Sequence, residues 1–280
     1  MNTFNGMPEL TRTFAAGEFR KLVPLDKILA APAGKLRATA GAPIFVPRDQ
    51  WFEVDMDPHI GPITDQNGIG QCNAATSVEI VMGQRSMQGM PYVALSAGDL
   101  YNRICNGVDE GSLPEDALKE LQDNGVNPVS IVPFLDWRTS HGAGERAKYK
   151  IGEADPITTA DGACSELQSG FMFDLCMAWY NSDSSPDSEG RLSSRPGGSA
   201  GGHSLTACGM KLFGADWYIK FRNHWTARYG VNGCGYLPVS RLESNLSQFR
   251  MWACRQVSAE SGGLPAPIWP AGFDPAGKTA

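Results

Sequence analysis

The sequence has 280 residues, 42% of them hydrophobic and 19% charged, and a formal net charge of −6. A chain of this size can bury a full core as one or two domains, and its acidic balance argues against a nucleic-acid partner. Because it has no run of about 18 apolar residues and no basic start followed by an apolar core, neither a membrane span nor a signal peptide is predicted.

The first half of the chain, from about residue 65 to residue 135, has the hydrophobic spacing of helices. Ala75, Val78 and Met82 fall on one helix face at three- and four-residue steps. Capping boxes precede the two helices that follow. Three helices are predicted: Cys72 to about Met87, Ser96 to Ile104, and Ser112 to a stop at Gly125.

A strand-like pattern replaces the helical one in the second half, about residues 160–255. Residues 135–160 are predicted to form a polar crossing loop, followed by a short helix at Ala160–Ser169. The Ser/Gly/Pro-rich residues 181–201 predict a mobile surface loop, and the prolines of residues 256–280 exclude a helix or central strand there. Five β-rich runs are predicted: Gly170–Tyr180, His203–Met210, Asp216–Arg222, Gly235–Val239 and Phe249–Arg255. The fold class is therefore α+β, with a helical half and a mostly antiparallel β half.

The chain has seven cysteines but no Cys-x-x-Cys pair, so neither a zinc site nor any other metal or cofactor is predicted. Buried thiols behave as small hydrophobic groups. Without a signal peptide, all seven are expected to be free thiols in a reducing compartment.

A glycine-broken loop, Asp65–Gly70, leads into Cys72 at the start of the first predicted helix. The positive end of the helix dipole favours the thiolate, which is the nucleophilic form of cysteine. Six residues upstream, Gln66 can aim its side-chain amide at the same point. Together with the backbone N–H of Cys72, this amide would form an oxyanion hole.

His203 and Asn223 follow Cys72 at intervals of 131 and 151 residues. This order and spacing resembles that of the papain-like cysteine peptidases. The resemblance implies a two-lobed fold, with the central cysteine helix in a helical half and an antiparallel, β-barrel-like second half. It also implies these roles: Gln66 as oxyanion donor, Cys72 as nucleophile, His203 as base, Asn223 as its orienting partner, and Trp225 as the indole that shields the His–Asn hydrogen bond.

The resemblance covers roughly residues 44–255, the predicted peptidase domain. Ile69 and Asn73 depart from the family pattern, because they replace a cysteine and a tryptophan beside the nucleophile. These departures are similar to those of divergent members of the kind seen in phage and prophage genomes. Residues 1–43 stand where the family often has an inhibitory prosegment, and an arm that packs on the domain or on a partner is the other interpretation.

In the family, a glycine-rich bend before the third helix lines the substrate cleft, and Asn106–Gly111 would be that bend. Gly107 and Gly111 would then bind substrate together with Trp225; a plain interhelical loop is the alternative. The three histidines without a motif are predicted to lie at the surface: His59, His141 and His224.

The implied function is that of a cysteine endopeptidase, which would hydrolyse a peptide or protein substrate through a thiolate–imidazolium pair. Two other classes stay open: a structural or assembly component of a phage particle built on a peptidase fold, and a Cys/His peptidoglycan amidase, which the long Cys-to-His interval disfavours. The two tails, residues 1–43 and 256–280, could contact neighbouring subunits of such an assembly. The predicted location is cytoplasmic or virion-associated.

Overall fold

The computed structural model describes residues 45–198 and 200–257. The predicted arm of residues 1–43 and the predicted tail beyond residue 257 lie outside the described residues. The described part contains five α-helices: α1 (Cys72–Met87), α2 (Ala97–Ile104), α3 (Pro114–Asp123), α4 (Ala160–Gln168) and α5 (Val239–Leu246). It contains seven strands: β1 (Val54–Asp55), β2 (Ile151–Ile157), β3 (Phe173–Tyr180), β4 (Ala200–Phe213), β5 (Asp216–Arg222), β6 (Cys234–Pro238) and β7 (Met251–Val257).

Helix α1 is the centre of the fold, packed between α2 and α3 on one side and the sheet on the other. Its predicted bounds are confirmed, but its predicted amphipathic character is wrong. Every residue from Cys72 to Gln84 is buried, so polar and apolar faces are enclosed alike. Close packing continues at Gly83, where an added Cβ would lie 2.6 Å from Met172 Cε.

The two helices that follow α1 begin in different ways. Ser96 caps α2, because its hydroxyl accepts the backbone N–H of Asp99 at 3.1 Å, and the predicted capping box is confirmed on this side. The predicted cap of α3 by Ser112 is wrong. Leu113 occupies the cap position without a side-chain hydrogen bond, and Pro114 is the first helical residue, where its fixed φ suits the helix.

The strands form one antiparallel sheet in the order β2-β7-β3-β4-β5-β6, with β1 added along β4. The α+β prediction is confirmed. The path among the described strands ends at β2 and β6, so the sheet is open, unlike the barrel-like half that was expected. Strand β4 lies inside the sheet, between β3 and β5, and α1 packs against it.

Three elements were missed in the sequence: the two-residue strand β1, strand β2 and helix α5. Strand β2 lies where a loop was predicted. The strand was missed because a register shift near Glu153 and the proline at position 156 break the alternation of apolar and polar residues. Helix α5 buries Val239 and Leu242 and follows β6 directly, with Pro238 in the cap position. Strand β2 and helix α5 both contact α4.

The segment predicted as a surface loop, residues 181–201, is held to the core at two positions. Asp183 is fully buried, and its carboxylate accepts a hydrogen bond from Arg241 of α5 at 2.5 Å. Leu192 joins the hydrophobic core. The prediction of a surface loop is therefore wrong at these positions, because a buried ion pair and an apolar contact anchor them.

All seven cysteines are buried free thiols. No helix within the described ranges is both long and apolar enough to cross a membrane.

Candidate active site

The loop before α1 is held against the segment that follows β5. The backbone N–H of Gln66 donates to the carbonyl of His224 at 2.9 Å, and that of Thr226 donates to Thr64 at 3.2 Å. Asp65 and Trp225 form a β-bridge between the same segments. These bonds bring Gln66 beside the residues around Asn223, although the two are far apart in sequence.

Cys72 is the first residue of α1 and is only 1% exposed. Burial raises the pKa of its thiol to about 11, and the charge of Asp174 acts in the same direction. Hydrogen bonds from the backbone of Ser204, Asn73 and Cys72 itself lower this pKa without offsetting the burial. The resting thiolate that was predicted is therefore disfavoured, because the loss of hydration on burial outweighs the stabilisation of the anion by the N-terminus of the helix. The Ser204 contact places the thiol against β4, one residue from His203.

His203 and Asn223 form the predicted pair, and both are buried. The backbone N–H of His224 donates to Asn223 Oδ1 at 2.9 Å, which identifies that atom as the amide oxygen. His203 Nε2 lies 3.0 Å from the same oxygen and must therefore carry the hydrogen and donate it. In the neutral ring, Nδ1 is then the basic nitrogen.

Two indoles fix the plane of the His203 ring. Trp225 stacks on it, with ring centroids 5.1 Å apart and planes at 24°. Trp179 meets it edge to face at 5.0 Å and 78°. Trp179 was missed in the sequence, where the only signal was the glycines before His203. In the sheet it lies opposite Gly201, and the missing side chain leaves room for an indole.

Gln66 is fully buried, and its amide Nε2 donates to the carbonyl of Ile69 at 2.7 Å. An amide nitrogen carries two hydrogens, so this bond holds the side chain in place while using one of them. The loop also contains two consecutive left-handed residues, Asn67 (φ 48°) and Gly68 (φ 74°), which turn the chain toward α1.

The bend Asn106–Gly111 contacts the loop before Cys72 through Asp109. Its Oδ1 accepts the backbone N–H of Gly70 at 2.7 Å and the hydroxyl of Tyr101 at 3.0 Å. An added Cβ at Gly70 would lie 2.8 Å from the backbone nitrogen of Gly111. Of the two predicted substrate-binding glycines, Gly111 thus lies against the loop that carries Cys72. Gly107 is exposed, with open space around its Cα.

A continuous set of polar side chains lies behind the site, and we call it the buried polar ladder. Three of its members share one face of α1 with steps of four and three residues: Cys72, Thr76 and Glu79. The others come from the sheet and the segment after β5: Asp174, Ser204, Thr206, Arg222 and His224. All eight residues are buried. A helix–sheet interface is normally apolar, so such a concentration of hydrogen-bonding groups requires partners for each.

The hydrogen-bonded contacts of the buried polar ladder follow one another from the end nearest Cys72. Ser204 Oγ lies 2.5 Å from Asp174 Oδ1 and 3.0 Å from Thr76 Oγ1. Thr76 Oγ1 lies 3.0 Å from His224 Nε2, and His224 Nδ1 lies 3.5 Å from Glu79 Oε1. The prediction of His224 as a surface residue is therefore wrong. Its side chain does turn away from Asn223, but that direction faces α1 and not solvent.

The comparisons with known proteins address the fold. No protein-family model matches the sequence, and no curated protein matches it. Solved structures do match. The procathepsin B S9 structure from Trypanosoma congolense has a TM-score of 0.66 at 16% identity, over 86% of this chain and 88% of that one. Xylellain, a cysteine protease from Xylella fastidiosa, has 0.65 at 19% identity, over 81% and 99%.

A third match is the bromelain protease from Ananas comosus in complex with the E64 inhibitor, with a TM-score of 0.61 at 17% identity, over 77% of this chain and all of that chain (100%). At these identities the similarity shows the fold alone. The chain has the papain-like fold, a helical half and an antiparallel sheet half with the candidate site between them. Its function is argued from its own residues.

Proposed function

We propose that this protein is a cysteine peptidase that hydrolyses peptide bonds, with Cys72 as nucleophile, His203 as base, Asn223 as the residue that orients it, and Gln66 as oxyanion donor. The observation that carries the proposal is the fixed tautomer of His203. Asn223 holds Nε2 as a donor, two indoles hold the ring plane, and the neighbouring Ser204 touches the Cys72 thiol. A base held in one orientation beside a thiol is what acyl transfer requires.

In the proposed reaction, His203 Nδ1 takes the proton from Cys72 Sγ as the sulfur attacks the peptide carbonyl carbon. Because the buried thiol has a pKa of about 11, proton transfer accompanies the attack and no resting ion pair precedes it. The carbonyl oxygen becomes an oxyanion, which accepts hydrogen bonds from the backbone N–H of Cys72 and from the second N–H of Gln66 Nε2. His203 then gives the proton to the leaving amine, and water hydrolyses the thioester.

The central test is the change Cys72→Ala with a matched control. Cys72→Ala should abolish peptide hydrolysis and covalent labelling by a thiol-reactive epoxide, whereas Cys105→Ala, which removes another buried thiol, should retain both. Peptide mapping identifies the labelled residue. Hydrolysis by Cys72→Ala at the wild-type rate, or labelling at another cysteine only, would contradict the proposal.

A second test separates the oxyanion donor from the nucleophile. Gln66→Ala should lower kcat by about 10²–10³ while the alkylation rate of Cys72 changes little, because the amide acts on the oxyanion. Gln84→Ala, a change at a buried glutamine farther along α1, is the control and should leave kcat near wild type. An equal loss of kcat and alkylation rate in Gln66→Ala would point to a purely structural role.

The phage-particle and amidase alternatives gain no support from the contacts of the described residues and stay predictions from the sequence. The interaction of the tails with neighbouring subunits also stays a prediction. A peptide or protein substrate is part of the proposal. No cluster of metal-ligating side chains occurs in the part of the chain that the structure describes.

A further inference from the structure

The carboxyl group of Asp174 lies at the end of the buried polar ladder nearest the nucleophile. Its side chain is fully buried in β3, and its Oδ1 lies 2.5 Å from Ser204 Oγ. Its Oδ2 is buried without a hydrogen-bond partner in the described residues. The backbone of the same Ser204 contacts the Cys72 thiol. A single residue of β4 therefore joins the carboxyl group to the sulfur.

The groups around Asp174 do not balance a negative charge. The thiols near it come from three elements: Cys72 of α1, Cys176 of its own strand and Cys254 of β7. Glu115 of α3 adds a second carboxylate, which lies 3.6 Å from the half-exposed Arg250. The neighbours that shift the pKa of Asp174 include no cation among the described residues.

We propose that Asp174 is a positioning residue that controls the ionisation of the Cys72 thiol: as an anion it holds the sulfur protonated, and as a neutral acid it permits the thiolate. The proposal rests on the role of Cys72 as nucleophile. Burial, supported by the charge of Glu115, raises the pKa of Asp174 to about 7, although the Ser204 hydroxyl lowers it. Asp174 thus changes its charge near neutral pH, where a peptidase would work.

The sign of the effect distinguishes this arrangement from an ordinary thiol. As pH rises, any thiol gains thiolate, and its alkylation rate rises about tenfold per pH unit below its pKa. Here the ionisation of Asp174 near pH 7 opposes that gain. The logarithm of the wild-type rate should therefore rise less steeply around neutral pH than on either side.

The test is alkylation of the full chain by iodoacetamide, with peptide mapping of Cys72, from about pH 5 to about pH 9. Asp174→Asn keeps an oxygen for the Ser204 hydroxyl and removes the charge. It should react on the order of three- to tenfold faster than wild type near the upper pH limit and at the same rate near the lower one. Because both proteins share the same buried site, the ratio of their rates cancels the effect of access.

Two further variants sharpen the result. Glu166→Gln, a change on α4, removes another buried carboxyl whose pKa is raised by burial, but this carboxyl is paired with Arg255 of β7, and the alkylation profile of the variant should match wild type. Glu115→Gln keeps Asp174 and removes the charge that raises its pKa, so the flatter region in the plot of alkylation rate against pH should move to lower pH. This variant also answers the question if Asp174→Asn fails to fold.

A ratio of Asp174→Asn to wild type that stays constant with pH, or that falls below one at high pH, would overturn the proposal, as would an unmoved profile in Glu115→Gln. Peptide hydrolysis is measured separately on the same proteins. A chain that shows the pH-dependent ratio but no Cys72-dependent hydrolysis would refute the proposed function and leave the control of the thiol by Asp174 intact.

Discussion

Glu79 and Asp174 are both fully buried carboxyl groups of the same ladder, yet the structure gives them opposite properties. Burial alone raises the pKa of each. At Glu79 the charges of Arg222 and His224 and the hydrogen bonds from His224 and Thr206 outweigh burial and lower its pKa to about 2. At Asp174 the hydrogen bond with the Ser204 hydroxyl does not outweigh burial, and the pKa of the carboxyl is raised to about 7. The difference shows that partners, and not depth, decide whether a buried acid is a fixed charge or a titrating one.

The largest effect on stability is expected at Glu79, whose negative charge is balanced by its partners. Glu79→Gln leaves Arg222 with Asp57 as its remaining carboxylate partner, at 2.6 Å, and should lower the free energy of unfolding by about 3–5 kcal/mol at neutral pH. Urea denaturation measures this loss. Because the folded pKa lies below the ordinary 4.5, the contribution of Glu79 is present above that value and is lost as pH falls through about 2, so the gap to wild type should narrow in acid.

The control for this prediction is Glu189→Gln, which breaks an exposed pair with Arg191 and should cost less than about 1 kcal/mol. An equal loss in the two variants would mean that Glu79 contributes no more than a surface charge.

A smaller effect of opposite sign is expected for Asp174→Asn. The folded pKa of Asp174, about 7, exceeds the ordinary value of 3.8. The contribution of this group to the stability of wild type is therefore fully present below pH 3.8 and is lost as pH rises through 7. The variant avoids this loss and should be more stable than wild type by on the order of 2–4 kcal/mol near pH 8, with no difference near pH 3.5. A difference that does not vary with pH would show that packing, and not charge, separates the two proteins.

The smallest effect is expected at Thr206, whose hydroxyl donates to Glu79 Oε2 at 2.8 Å. Thr206→Val has nearly the same shape and removes only that bond, so a loss of about 1–2 kcal/mol in the free energy of unfolding is expected. Thr206→Ser keeps the hydroxyl and serves as the control in the same denaturation series. A loss in Thr206→Ser as large as that in Thr206→Val would assign the effect to the missing methyl group.

The sequence was informative about the site where residue order and spacing carry the chemistry. Cys72, His203 and Asn223 could be proposed as site residues from their intervals, and the structure brings His203 and Asn223 into a hydrogen bond. It was uninformative where two distant segments have to meet. Nothing local to Asp174 or His224 shows that α1 will cover them, and an alternation argument cannot tell a face covered by a helix from a face in water.

Some missed elements did carry a local signal. Val239, Leu242 and Leu246 stand three and four residues apart, which is the spacing of the short helix α5. Strand β2 carried none, because its bulge and Pro156 disturb the alternation that identifies strands. The predicted cap at Ser112 failed for a comparable reason: a proline two residues later already supplies a rigid helix start.

The hydrogen bond from the backbone N–H of Gly70 to Asp109 joins the bend Asn106–Gly111 to the loop that precedes Cys72. The Tyr101 hydroxyl donates to Asp109 and accepts the backbone N–H of Gly111, so one phenol holds the C-terminal part of the bend at two positions. A peptide that pushes the bend outward would therefore pull on the loop two residues before Cys72. The position of the Cys72 sulfur would then depend on contacts made at the bend, even where nothing touches the sulfur itself.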